Sequence, residues 1–311
     1  MERSGGTSLQ RAPLERTGGL RCRHGGRAGG TPEGRLGSLS AAVRSRSENH
    51  AQCRSDPGGD RIRWVELPGR EPARVYVHGL GATSPAYFTE VAVDPRLGGH
   101  RSLLIDLLGH GHSDRPTDFD YTLEAHADAL AAALRCAGVD RAEVIAHSMG
   151  GSVAVVLASR HPGLVSRLVL VDSNLDPVPP DAAAVGSSGI AAHSEEELLA
   201  RAWESVRDRA GAHWWSTMRL AGREALYRSA VNLARGTTPT VRELLIGLKI
   251  PRTLLPAADG PLSGADALAE AGVAVVRIPD CGHNIMLDNP EAFVRAAAEA
   301  LAGTAPAERG A

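Results

Sequence analysis

Val144-Ile145-Ala146-His147-Ser148-Met149-Gly150-Gly151 places a serine among very small residues, directly after an apolar run and directly before a stretch with a helical pattern. That is the sequence form of a nucleophile elbow. A serine on a sharp strand-to-helix turn needs its neighbours two before and two after to be nearly free of side chain, because the turn presses them into contact. Ala146 and Gly150 meet that demand; the usual pattern has glycine at both positions, and Ala146 departs from it by one methyl. Taken alone, the stretch also fits an ordinary serine capping a helix between flexible glycines.

A second element lies far downstream, where the β-branched run Val273-Ala-Val-Val-Arg-Ile278 leads into a turn, Pro279-Asp-Cys-Gly-His283. Strand, turn and histidine form the setting of a general base. A serine hydroxyl is a poor nucleophile until a base takes its proton, and that base needs a carboxylate behind it to fix its tautomer. In a sheet of this kind the acid falls between serine and histidine in chain order. Asp259, closing the run Thr253-Leu-Leu-Pro-Ala-Ala, is the favoured acid. Asp172, which ends Leu168-Val-Leu-Val, is the alternative, and Asp176 a weaker third. A third element, Val75-Tyr-Val-His78-Gly79-Leu80-Gly81, is a β-type run ending in a glycine turn. Glycines on both sides of Leu80 let the backbone approach a ligand closely, so the N–H groups of Leu80 and Met149 are the candidate oxyanion donors.

Together with Asp106-Leu-Leu-Gly109-His-Gly111-His-Ser113-Asp-Arg-Pro116, these motifs make residues 60–302 resemble the α/β-hydrolase superfamily, specifically its small cap-bearing esterases and carbon–carbon hydrolases. The resemblance implies Ser148 as nucleophile, His283 as base, and Leu80 and Met149 as oxyanion donors. It also implies a helical cap inserted after the sixth strand, and it leaves the reaction open because one fold hosts many chemistries. A serine at the elbow argues against the epoxide hydrolases and haloalkane dehalogenases of this fold, which use a carboxylate there.

The pattern between the motifs agrees. Strands are expected near 61–67, 74–78, 102–106, 142–147, 168–171, 252–256 and 273–278, with helices near 122–137, 149–161 and 290–302, giving an α/β fold with a mostly parallel, doubly wound sheet. Residues 174–249 lack strand-like runs and read as the cap, with helices opened by Ser194 and covering 212–221, 223–235 and 239–248. Trp203, Trp214, Trp215 and Met218 are its candidate substrate contacts, with simple packing of cap onto sheet as the alternative.

The net charge of −2 conceals an asymmetry. Residues 1–55 hold ten Arg and four Glu, whereas the remainder carries 24 basic and 32 acidic residues. Residues 1–58, rich in Gly, Arg and Ser and without apolar periodicity, are expected to be a disordered extension preceding a hydrolase domain over 59–311. No apolar run reaches the length of a signal or membrane segment, which points to a cytoplasmic protein with no membrane partner. The extension lacks the interleaved aromatics of a nucleic-acid arm, so no nucleic acid is expected. Cys22, Cys53, Cys136 and Cys281 have no paired or metal-like spacing and read as free thiols. Asp106, His110, His112 and Asp114 read as turn formers rather than a metal site, and the absence of a phosphate-binding glycine motif implies no nucleotide cofactor. The expected activity is cleavage of a small or medium apolar ester through an acyl-enzyme on Ser148. Carbon–carbon hydrolysis and thioesterase action are the nearest alternatives, a non-catalytic ligand-binding receptor is the alternative of another class, and oligomeric state is not encoded.

Overall fold

The structure is a computed structural model that describes residues 50–54 and 59–303. Its eight-stranded sheet comprises β1 (His50–Arg54), β2 (Arg61–Leu67), β3 (Arg70–Val77), β4 (His100–Asp106), β5 (Ala142–His147), β6 (Val165–Val171), β7 (Arg252–Leu255) and β8 (Val273–Val275). They lie in the order β1-β2-β4-β3-β5-β6-β7-β8. β1 and β4 run antiparallel to β2, and every other pairing is parallel. A parallel sheet is covered on both faces, so its central strands read as continuous apolar runs. β5 is the plainest case, being buried at every position.

One face packs α2 (Leu123–Cys136) and α3 (Met149–Arg160), through Leu130, Val153 and Leu157 against Val75 and Val144. The other packs α1 (Ser84–Val93) and the C-terminal helix, through Phe88 and Phe293 against Tyr76 and Ile145. Each fully buried aliphatic or aromatic side chain contributes about 1.5–3 kcal/mol, so these two layers carry most of the stabilisation. α1 and α2 start where the sequence supplies caps. The Thr122 hydroxyl accepts from Ala125 N–H at 3.0 Å at the start of α2. Thr83 does the same for Ala86 N–H before α1, where Pro85 sits in the first turn and needs no acceptor for an N–H.

Between β6 and β7 the chain is helical: α4 (Ser187–Ala191), α5 (Glu195–Glu197) continuing through a π-helical turn (Leu198–Ala202), α6 (Trp203–Met218), α7 (Arg223–Arg235) and α8 (Val241–Gly247). Ser194 caps α5 by accepting from Glu197 N–H at 3.1 Å. α6 is broken at Gly211, where φ 71° and ψ 162° interrupt the helical backbone. After β7 come α9 (Ala265–Glu270), α10 (Ile285–Asp288) and α11 (Pro290–Ala302). Among the described residues no helix is long and apolar enough to cross a membrane.

Two expectations change. Residues 50–54, read as the end of a disordered extension, form β1, paired along its whole length with β2; the rest of residues 1–49 and residues 55–58 lie outside the described residues. Cys53 on β1 and Cys136 at the end of α2 are joined by a disulfide, with Cα atoms 6.2 Å apart, while Cys281 is a free thiol and Cys22 lies outside the described residues. A separation of 83 residues carries no local motif, so this pairing depends on tertiary placement. Reduction is expected to lower unfolding free energy by roughly 2–4 kcal/mol, the usual scale for a link closing a long loop. Urea melts with and without dithiothreitol, repeated on Cys53→Ser, check this; coincident midpoints would mean that the link contributes nothing.

Candidate active site

Ser148 leaves β5 with φ 51° and ψ −123° and begins α3. A non-glycine residue at positive φ is strained, and such strain concentrates at functional turns. The turn is possible because residue 150 has no side chain: a Cβ on Gly150 would lie 2.3 Å from the His78 carbonyl oxygen on the neighbouring β3 loop. Ala146 sits earlier, within the ladder opposite Val77, where its methyl is accommodated.

The structure brings Ser148, His283 and Asp172 together. Ser148 Oγ lies 3.0 Å from His283 Nε2, and His283 Nδ1 lies 2.6 Å from Asp172 Oδ2. With Nδ1–H donating to the carboxylate, Nε2 is the basic nitrogen and accepts the serine proton. Asp172 ends β6, the strand beside β5, at φ 42°, with its N–H donating to Leu255 O at 3.0 Å. Asp259, favoured from sequence, instead occupies a tight turn closed by Gly260 N–H donating to Ala257 O, and is exposed. Asp172 is therefore the carboxylate on His283, because its strand ends one position nearer to the elbow and its own left-handed turn carries it out of the strand. Asp176 is engaged elsewhere, paired with Arg242 at 2.6 Å.

Two neighbours were not singled out from sequence. His147 lies before the nucleophile, with Nε2–H donating to the His283 carbonyl at 2.9 Å and its ring 4.6 Å from that of His283. Burial holds its pKa well below the ordinary histidine value, with the neighbouring His283 charge adding to the effect, so it serves as a neutral strut under the base. Asn174 follows Asp172 by two residues, and its Oδ1 is 3.3 Å from Ser148 Oγ. The hydroxyl has one proton and so donates either to His283 or to Asn174. The signal available was Asn174's place just past the end of β6, on the same sheet edge as the elbow.

Over Ser148 lies a cavity of about 390 Å³, walled by Leu80, Tyr87, Val185, Trp214, Leu233 and Asn284 among others. Its described lining contains no Arg, Lys, Asp or Glu. Of the four expected cap contacts only Trp214 reaches it, donating its indole N–H to the Leu80 carbonyl at 2.9 Å. Trp203 and Trp215 pack on each other at 5.7 Å, Arg223 stacks over Trp203, and Met218 is fully buried against Gly81. Leu80 also lines the cavity, and Met149 follows the nucleophile as the first residue of α3, where helix N–H groups have no partner of their own.

Residues 74–190 match the model of the alpha/beta hydrolase fold family. The chain has the α/β-hydrolase fold. It is 36% identical over 98 residues to a 2-hydroxymuconate semialdehyde hydrolase of Pseudomonas sp. (strain CF600), a match spanning 31% of this chain and 35% of that protein. The chain thus aligns with only about a fifth to a third of the length of the curated relatives it matches. Among solved structures it is similar to a thermophilic esterase from Thermogutta terrifontis (TM-score 0.66, 21% identity, covering 82% of this chain and 99% of that one). It is also similar to an alpha/beta hydrolase fold protein from Burkholderia ambifaria (TM-score 0.65, 25% identity, covering 79% and 96%).

Behind the site, the chain buries three further histidines in a row. His78 and His110 have ring centres 5.2 Å apart, and His110 and His126 6.4 Å. His78 Nδ1–H donates to Gly79 O at 2.7 Å while its Nε2 accepts from Leu107 N–H at 3.0 Å, an arrangement only the neutral ring can make. His126 Nε2 lies 3.3 Å from Ser229 Oγ on α7, linking core to insertion. Burial pushes His78 down to about 4 and His110 to about 3, and holds His126 well below the ordinary range. The Asp106 carboxylate accepts from the N–H groups of Ser84 and His112, both at 2.9 Å, while Asp114 pairs with Arg63 at 2.5 Å. Both carboxylates thus knit the loop after β4.

Proposed function

We propose that the protein is a serine esterase cleaving an uncharged, small or medium apolar ester through an acyl-enzyme on Ser148. The observation carrying this reading is the relay from Asp172 to His283 to Ser148, at 2.6 and 3.0 Å, opening onto a cavity. In acylation, Ser148 Oγ attacks the ester carbonyl carbon as His283 Nε2 takes its proton, and the imidazolium is stabilised by Asp172. The carbonyl oxygen becomes an oxyanion facing the N–H groups of Leu80 and Met149, each worth about 3 kcal/mol of barrier. Collapse expels the alcohol with the proton from Nε2. A water then repeats the sequence on the acyl-enzyme, releasing the acid and restoring Ser148.

The lining supports an uncharged substrate. A carboxylate buried without a counter-charge is strongly disfavoured, and no Arg or Lys lines the described cavity. A p-nitrophenyl butyrate is therefore expected to exceed the p-nitrophenyl ester of succinic acid in kcat/KM by about tenfold or more, the equivalent of roughly 1.4 kcal/mol. The nucleophile is tested with an alkyl p-nitrophenyl phosphonate: peptide mass spectrometry should find one adduct, on Ser148, in the wild type and none in Ser148→Ala. An adduct elsewhere, or ester turnover surviving in Ser148→Ala, would sink this reading.

A further inference from the structure

Leu80 and Gly81 occupy the centre of a turn closed by Ala82 N–H donating to Gly79 O at 3.1 Å. Gly81 has φ 67° and Leu80 is not among the positive-φ residues, which is the signature of a type II turn. Types I and II differ by a flip of the central peptide, whose carbonyl here belongs to Leu80. That carbonyl is the one that accepts the Trp214 indole N–H at 2.9 Å, across 134 residues of chain. The fit is close: a Cβ on Gly81 would lie 2.8 Å from Trp214 Nε1, 3.2 Å from Met218 Cγ and 3.3 Å from Leu226 Cδ1.

We propose that Trp214 is a positioning residue for the oxyanion loop: by gripping the Leu80 carbonyl it fixes the Leu80–Gly81 peptide and so anchors Leu80, whose N–H, on the preceding Gly79–Leu80 peptide, faces the substrate carbonyl. This rests on the ester-hydrolase reading above. The insertion is built to do it. α6 is interrupted at Gly211, three residues before Trp214, and the part beyond the break is seated on the core. There the His213 ring lies 5.5 Å from that of Tyr87, Thr217 is buried, and Met218 contacts Gly81. The part before the break carries Ala210, which lines the cavity beside Val185 and Gly186. Trp214 therefore stays with the loop it holds, whatever the first half of α6 does. Without the indole N–H, the Leu80 carbonyl lacks that tether and the central peptide is free to flip, which loosens the placement of Leu80 and its N–H, so the competent placement is only fractionally populated.

The test is Trp214→Phe, which keeps an aromatic ring and removes the donor, beside Leu233→Ala, which alters the cavity wall alone. Loss of an oxyanion donor outright costs 10²–10³ in kcat, so partial misorientation is expected to lower kcat of Trp214→Phe by about tenfold with KM within twofold. The ratio of ester to thionoester turnover should fall by a similar factor, since sulfur depends less on the N–H donors. In Leu233→Ala the ratio should hold while KM rises. A Trp214→Phe enzyme with raised KM and an unchanged ratio would reduce Trp214 to cavity wall and overturn the proposal. The amide resonances of Leu80 and Gly81, ¹⁵N-labelled, decide the point without turnover: new exchange broadening in Trp214→Phe supports the tether, and unchanged lines overturn it. If the wild type hydrolysed neither ester, the ester-hydrolase reading would fail while these resonances still judged the tether.

Discussion

Asp172→Asn is expected to lower kcat on p-nitrophenyl esters by about 10⁴-fold, whereas Asp259→Asn leaves it within twofold. The reason is tautomeric. His283 Nδ1–H donates to Asp172 Oδ2 at 2.6 Å, which keeps the lone pair on Nε2, 3.0 Å from Ser148 Oγ. An asparagine amide in the same place can offer its N–H to Nδ1, which moves the imidazole proton to Nε2 and leaves nothing basic facing the serine. Asp259 is exposed in its own turn and takes no part in this contact. Matched kcat measurements on both variants, with circular dichroism to confirm folding, decide it. A large loss in Asp259→Asn, with Asp172→Asn near wild type, would return the acid to the strand where sequence alone favours it.

Acidification is expected to unfold the protein steeply, losing most of its stability between pH 6 and 4. His78, His110, His126 and His147 are neutral in the fold and titrate at about 6.5 when unfolded. Below that value the unfolded chain binds protons the folded chain does not, so stability falls as pH falls, until each folded-state value is reached. For His78, shifted to about 4, the loss by that pH is on the order of 3 kcal/mol. The other three act in the same direction. Domains of this kind have only about 5–15 kcal/mol in total, so the four together suffice. Asp106, whose carboxyl burial raises, protonates earlier in the fold than when unfolded, an opposite and smaller effect confined to the carboxylate range. Urea-derived unfolding free energies at half-unit steps should show a slope near pH 5 equivalent to about four protons. A slope of one proton or less would mean that these histidines are not held neutral.

Sequence made the nucleophile and base legible because each is announced locally. Ser148 follows a run buried at every position, and His283 follows a strand and a turn. The acid was not legible, since β6 and β7 each end near an aspartate. What separates Asp172 from Asp259 is a left-handed backbone turn at one of them and the adjacency of β6 to β5, neither of which is written in composition. The tryptophans failed for a geometric reason. Trp214 and Trp215 are consecutive and so point about 100° apart around a helix, which lets only one face the cavity. The break at Gly211 resets the helical phase between Trp203 and both of them. α1 was missed although Thr83 and Pro85 mark its start. β1 was invisible because His50-Ala-Gln-Cys-Arg54 has no alternating apolar face and owes its form to β2.

That short strand has a role larger than its length. β2 runs from Arg61 to Leu67 with β4 along one side and β1 along the other. An expression version begun at Gly59, where composition places the boundary, would strip β1 away and leave one margin of β2 with unpaired N–H and C=O groups. Such a margin is an invitation to any passing strand, including the same strand of another molecule. Residues 50–54 thus act as a selvedge, carrying the sheet's edge on a strand shorter and more polar than β2 and so less open to self-association.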